Sequence, residues 1–162
     1  MGFTIRRARP ADSAALARLR LDFVRELNPA ISIPDALLVA NRRYFEAQLG
    51  QPGPVTCWLA EVDGAPVAQA MLILLPKPPS LELPTGLEGY VSNFFIAANH
   101  RRRGIGQALL DALTVEATRQ GVDKLWLHAT GDGELLYARA GFTRVDRSRY
   151  PEMTLDLVKV AR

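Results

Sequence analysis

The chain has 162 residues, 48% hydrophobic and 23% charged, with a formal net charge of +3. This suits one compact domain over residues 1–162 and speaks against a disordered chain. The longest apolar runs, such as Ala70 to Leu75, are too short to span a bilayer; Met1 to Arg7 has no apolar h-region, and the single cysteine, Cys57, excludes an internal disulfide. The expectation is a soluble, cytoplasmic protein with no membrane partner.

Phe3 to Arg7 reads as a short first strand. Pro10 and Asp12 then open a helix on which Leu16, Leu19, Phe23 and Leu27 recur at helical spacing, and Asn28-Pro29 ends it. Pro34-Asp35 starts a second helix reaching roughly Gln48. Gly50 to Pro54 is a turn cluster. Val55–Val62 and Pro66–Leu75 read as strands, with Asp63-Gly64 between them as a hairpin signal. A proline-rich loop, Pro76 to Pro84, leads towards a strand at Tyr90–Ile96. Gly104 to Gln120 is a helix with Ala108, Leu109, Ala112, Leu113 and Ala117 on one stripe, and Gly121 fits its C-terminal stop. A strand follows at Lys124–Ala129 and a short helix at Glu134–Ala140. A closing hairpin is expected at Phe142–Arg147 and Met153–Val160. Hairpins mixed with helical crossovers predict an α+β fold around a mixed sheet.

Arginines cluster at 6–7, 42–43 and 101–103, which suits nucleic acid or a compact polyanion such as a nucleotide cofactor. Nucleic-acid binding predicts aromatics interleaved with the charges, and Ala97-Ala98-Asn99-His100-Arg101 has none. The run Arg101-Arg102-Arg103-Gly104-Ile105-Gly106 stands between a strand end and a helix start. There, unpaired backbone N–H groups and the positive end of the helix dipole face outward. Glycines at 104 and 106 remove Cβ atoms that would keep a phosphate from those amides, and arginines add charge. Together these parts describe a diphosphate cradle. A dinucleotide fingerprint would need glycine where Leu109 stands, and a Walker A loop would need a Gly-Lys-Ser/Thr that is missing. The plain alternative is a solvated basic turn leading into a surface helix.

Arg101, Gly104 and Gly106 match the Arg/Gln-x-x-Gly-x-Gly/Ala signature of the GNAT (N-acetyltransferase) superfamily, which the chain resembles. Leu136-Tyr137-Ala138-Arg139-Ala140-Gly141-Phe142 is similar to that family's Leu-Tyr-x-x-x-Gly-Phe segment, and Ile5-Arg6-Arg7-Ala8 with Asp12 resembles its start. The resemblance is strong over about Tyr90 to Phe142. It implies a mostly antiparallel sheet of six to seven strands, about four flanking helices, and a V-shaped splay between the fourth and fifth strands.

It also implies acetyl-CoA as acyl donor, direct attack by an amine, a small-molecule acceptor and often a homodimer. The pantetheine arm would pair with Phe95, Ile96 and Ala98, with the Ile96 amide on the thioester carbonyl. Arg101 opens the signature, and the amides of Arg102, Arg103, Gly104, Ile105, Gly106 and Gln107 would hold the pyrophosphate. Thr130 stands where the family often has Asn towards the cofactor. Tyr137 matches the family's general acid; by itself it reads equally as a helix tyrosine packed on the core.

Some members carry a glutamate base where Tyr90 stands here, so that base does not carry over. Glu88 and Ser92 share strand parity with Tyr90, provided no bulge intervenes. Glu88 could act through water or be an ordinary loop carboxylate. His128 could face the cleft as a base or sit half-buried on its strand. No carboxylate–histidine spacing suggests a metal. Acceptor specificity is expected from loops at 28–44, 76–89 and 147–152. The competing readings are a protein N-terminal or lysine acetyltransferase and a non-catalytic acyl-CoA-binding module.

Overall fold

The computed structural model describes residues 2–145 and residue 153. Its elements are β1 (Thr4–Arg7), α1 (Ser13–Leu27), α2 (Asp35–Leu49), β2 (Val55–Val62), β3 (Ala65–Pro76), β4 (Leu87–Ile96), α3 (Ile105–Arg119), β5 (Lys124–Trp126) and α4 (Glu134–Arg139). One-turn 3-10 segments at Pro10–Asp12 and Ala98–His100 precede α1 and follow β4. The sheet order is β1-β2-β3-β4-β5, antiparallel except for the parallel β4–β5 pair. That is the mixed, mostly antiparallel sheet the sequence predicts, with five strands among the described residues in place of six to seven. The expected closing hairpin lies largely outside the described residues, and residues 142–145 join no strand.

Local chemistry accounts for the joints. Asp63 (φ 50°) and Gly64 (φ 78°) take the two left-handed positions that a tight β2–β3 hairpin needs. The Arg6 guanidinium spans Asp12 and Glu61 at 2.7 Å each, tying β1 to the α1 entrance and to β2. The sheet separates two apolar cores. On one face α3 sets Ile105, Leu109, Leu113 and Ala117 against Trp58, Ala68, Leu72 and Val91. On the other, α1 and α2 set Leu16, Leu19 and Phe45 against Leu59, Met71 and Phe95. Each fully buried leucine or phenylalanine contributes about 1.5–3 kcal/mol of transfer free energy. This double burial explains why β2 and β3 read as nearly continuous apolar runs.

Two irregularities in β4 shape the space beside it. Between Ser92 and Phe95 its pairing with β3 shifts register, and Asn93 takes a left-handed backbone (φ 47°). This bulge moves the strand's parity: Val91 faces α3 before it, Phe94 and Ile96 face α3 after it, and Phe95 faces α1. Moreover, β5 pairs with β4 only at Glu88, Gly89 and Tyr90. β5 ends at Trp126 while β4 runs on to Ile96, so the two strands part and leave a gap along residues 91–96. The splay is the one the family resemblance implies.

Candidate active site

The gap is polar along one wall because β4 has lost its partner there. The Ala97 N–H bonds Val67 C=O (2.9 Å), so ladder alternation turns the Ile96 N–H to the open edge. The Ile96 carbonyl points the same way and accepts from Arg101 Nε (2.9 Å). Phe95 turns from the gap into the α1 core, its ring 5.7 Å from that of Phe23. Ala98 opens the 3-10 turn that leads the chain out of the sheet, and its carbonyl accepts from the Arg101 amide (3.3 Å).

The Arg101–Gly106 turn follows at once. Arg102 (φ 61°) and Gly104 (φ 84°) are both left-handed with Arg103 between them, and such alternation turns successive amides to one side as an anion-binding nest. The first helical bond runs from Ala108 N–H to Gly104 C=O (3.1 Å), leaving the Ile105, Gly106 and Gln107 amides without an intrahelical acceptor. Ile105 is buried beneath them and anchors the helix start.

The two glycines do different work, which corrects the sequence reading. Gly104 supplies a backbone conformation; a Cβ there would meet only Phe3 Cε1 at 4.0 Å. Gly106 supplies close packing: a Cβ would stand 3.1 Å from Leu136 Cδ2 and 3.2 Å from Ile96 Cδ1. Its small size lets α4 and the end of β4 close on α3. The arginines divide too. Arg101 places its Nη2 on the Glu26 carboxylate near the end of α1 and its Nε on Ile96, so its charge clamps the turn to the fold. Arg102 and Arg103 are exposed and form no ion pair among the described residues.

Tyr137 on α4 is brought to the same gap. It is 8% exposed, its ring edge-on to Phe94 (5.7 Å) and Phe142 (5.8 Å). Burial pushes its phenol up to about 12, and its hydroxyl has no hydrogen-bond partner among the described residues. A phenol so placed holds its proton at neutral pH and can donate it. Thr130 lies exposed between β5 and α4, its carbonyl accepting from Gly133 (2.9 Å) and Glu134 (3.1 Å).

Glu88 is not brought there. No bulge intervenes between it and Ser92, but it sits eight residues from Ile96, roughly 25 Å along a strand. It is buried, and its carboxylate is paired with Lys77. Closer to the gap lies an aromatic group: Tyr90 stacks on Trp126 (centroids 4.3 Å), and its hydroxyl is 3.4 Å from His128 Nδ1. Cys57 is buried, its thiol pushed up to about 12 by desolvation, and is inert at neutral pH. Among the described residues no three His, Cys, Asp or Glu side chains cluster as a metal site, and no helix is long and apolar enough to cross a membrane.

A cleft of about 330 Å³ opens on the α1–α2 side of β4, lined by Arg20, Asn41, Tyr44, Ser92 and Asn93 among others. Asn41 and Tyr44 fall in the 28–44 segment expected to set acceptor specificity; Arg20 and Asn93 were missed, and the trace of Asn93 in the sequence is the break in strand alternation, where polar Ser92-Asn93 is followed by apolar Phe94-Phe95.

A model of the Acetyltransferase (GNAT) family matches residues 21–142. A predicted acetyltransferase from Clostridium acetobutylicum, solved with acetyl-CoA, is 26% identical, with a TM-score of 0.81 over 96% of this chain and 97% of that one. A GCN5-related N-acetyltransferase from Ralstonia eutropha JMP134 is 30% identical, with a TM-score of 0.77 over 96% and 99% of the two chains. A ribosomal-protein-alanine N-acetyltransferase from Brucella melitensis shares the fold at 24% identity, TM-score 0.67, over 96% and 100%. No curated protein matches the chain in sequence. The splayed sheet, the nest at the start of α3 and the family match over residues 21–142 lead to one conclusion: the chain belongs to the GNAT acetyltransferase family.

Proposed function

We propose that this protein transfers an acetyl group from acetyl-CoA to the primary amine of a small molecule, by direct attack within a ternary complex. The observation that carries the reading is the convergence of three groups on one gap: the outward Ile96 amide, the nest at Arg102–Gln107, and the protonated Tyr137 phenol. Amides in the nest hold the pyrophosphate, with Arg102 and Arg103 adding charge. Pantetheine lies along the unpaired edge of β4, where Ile96 offers a backbone N–H to the thioester oxygen. That donor is fixed before reaction and strengthens as the oxyanion develops.

The amine nitrogen bonds to the thioester carbon and the C–S bond breaks as the tetrahedral intermediate collapses. The departing sulfur takes the Tyr137 proton. The Lys77 pair and the distance from Ile96 support a packing role for Glu88. Tyr90 and His128, at the mouth of the gap, are the nearer titratable pair for the proton the amine must lose. The size of the cleft beside Ser92 favours a small acceptor over a peptide.

Release of free thiol from acetyl-CoA across an amine panel tests the reading. Amine-dependent thiol with a matching acetylated product is expected. Acetyl-CoA binding with no thiol from any amine would leave an acyl-CoA-binding module, and failure to bind acetyl-CoA would reject the site altogether.

A further inference from the structure

The cleft beside β4 holds one feature that acetyl-CoA does not use. Arg20, on α1, is half-buried in its wall. Among the described residues Arg20 has no carboxylate within ion-pair distance, whereas the other half-buried arginines, Arg6 and Arg101, are both paired. Among the described residues its side chain makes one hydrogen bond, from Nη1 to the Asn93 side-chain oxygen. A guanidinium carries several N–H donors in a rigid plane, so most of its donors find no acceptor among the described residues. A half-buried, unpaired cation is costly unless something completes it.

Arg20 is also held in place. Asn93 is only 6% exposed, sits on the left-handed bulge of β4, and is fixed on its other side by a contact from its amide to Met71 Sδ (3.8 Å). Below, the buried Gln69 amide bridges Leu16 C=O (3.2 Å) and Arg20 N–H (3.0 Å) in the orientation that satisfies both. The fork is thus anchored to the bulge of β4. Asn41, Tyr44 and Ser92 add neutral polar groups to the wall, and among the described residues no acidic one lines it. Tyr137 reaches the gap from the α3 side, because its ring packs on Phe94. The cleft opens on the opposite, α1–α2 side.

We propose that Arg20 is a specificity residue: the acceptor is an amine that also carries a carboxylate, and Arg20 binds that carboxylate. This rests on the acetyl-transfer reading and names its substrate class. The planar fork matches the two oxygens of a carboxylate. Charge favours carboxylate over phosphate: among the described residues Arg20 is the one cation lining the cleft, enough for a monoanion and not for a phosphate dianion. Ser92 lies across the bulge from Ile96, about 10 Å along the sheet by the register of Met71 and Ala68 on β3. The anion anchored near Ser92 therefore directs the amine along β4 towards the thioester.

Calorimetry on the CoA-bound protein, paired with thiol release from acetyl-CoA, tests this. The probes are glycine, β-alanine and 4-aminobutyrate, the amide of each, and phosphoethanolamine. At least one free carboxylate should bind about 10- to 100-fold tighter than its amide, the worth of one charge-assisted interaction. Arg20→Gln should collapse that ratio towards one while the acetyl-CoA thermal shift persists. Asn93→Gly keeps the left-handed backbone, removes the brace and should reduce the ratio in part. Carboxylate binding without thiol release would reject the transfer reading and leave the subsite standing. Thiol release from amides and acids alike, unaltered by Arg20→Gln, would overturn the subsite and leave transfer standing. Tighter binding of phosphoethanolamine, or no binding by any carboxylate, would also overturn it.

Discussion

Gly104 and Gly121 bracket α3, and they separate backbone strain from phosphate binding. Both are left-handed, at φ 84° and 73°, and both have room: a Cβ at Gly104 would meet one carbon at 4.0 Å, and at Gly121 nothing within 4 Å. Alanine at either position therefore meets the same penalty without a clash. A left-handed non-glycine residue costs roughly 1–2 kcal/mol. For a chain of this size each kcal/mol moves Tm by about 2–4 °C, so each variant should melt about 2–8 °C lower. Only Gly104→Ala should also weaken acetyl-CoA. Relaxing its φ swings the neighbouring amides out of the nest, and losing one charge-assisted hydrogen bond corresponds to about a tenfold higher Kd. Thermal melts with and without acetyl-CoA, together with a calorimetric titration, read both quantities. If Gly104→Ala and Gly121→Ala bind acetyl-CoA equally well, the nest is not the phosphate site. If neither variant loses stability, the strain argument is wrong.

Tyr137→Phe keeps the ring packing on Phe94 and removes the proton donor; kcat should fall about 100-fold with the acetyl-CoA Kd unchanged, and equal kcat would remove the assignment. The Glu116 carboxylate is held down to about 2, first by Arg119, then by Gln120 and Arg7. Its folded value lies below its unfolded one, so its contribution is present above about pH 4.5 and lost as pH falls towards 2. Because both arginines are largely exposed, that contribution is about 1 kcal/mol, and Glu116→Gln should flatten the acid limb of a Tm–pH curve over this window. Cys57 should resist aromatic disulfide reagents at pH 8 in the native protein and react fully in denaturant; rapid native labelling would contradict its burial.

What the sequence determined by itself is what short segments encode. Asp63-Gly64 set a turn because two adjacent residues tolerate left-handed backbone, and the stripe on α3 set a buried face because helical period needs no distant partner. The Arg101–Gly106 turn was legible for the same reason, and the family resemblance supplied Tyr137 and the splay. Tertiary structure decided how those residues are used. Arg101 reads as one of three phosphate-binding arginines until Glu26, 75 residues away, takes its charge. Gly106 reads as room for a phosphate until Leu136 and Ile96 fill that space. Glu88 reads as either a base acting through water or an ordinary carboxylate until Lys77 pairs with it, and Arg20 attracts no notice until Asn93, 73 residues away, fixes it at the cleft. The physical reason is common to all four. A backbone turn is set by its own few residues, whereas the role of a charge or a missing Cβ depends on what the sheet and helices bring against it.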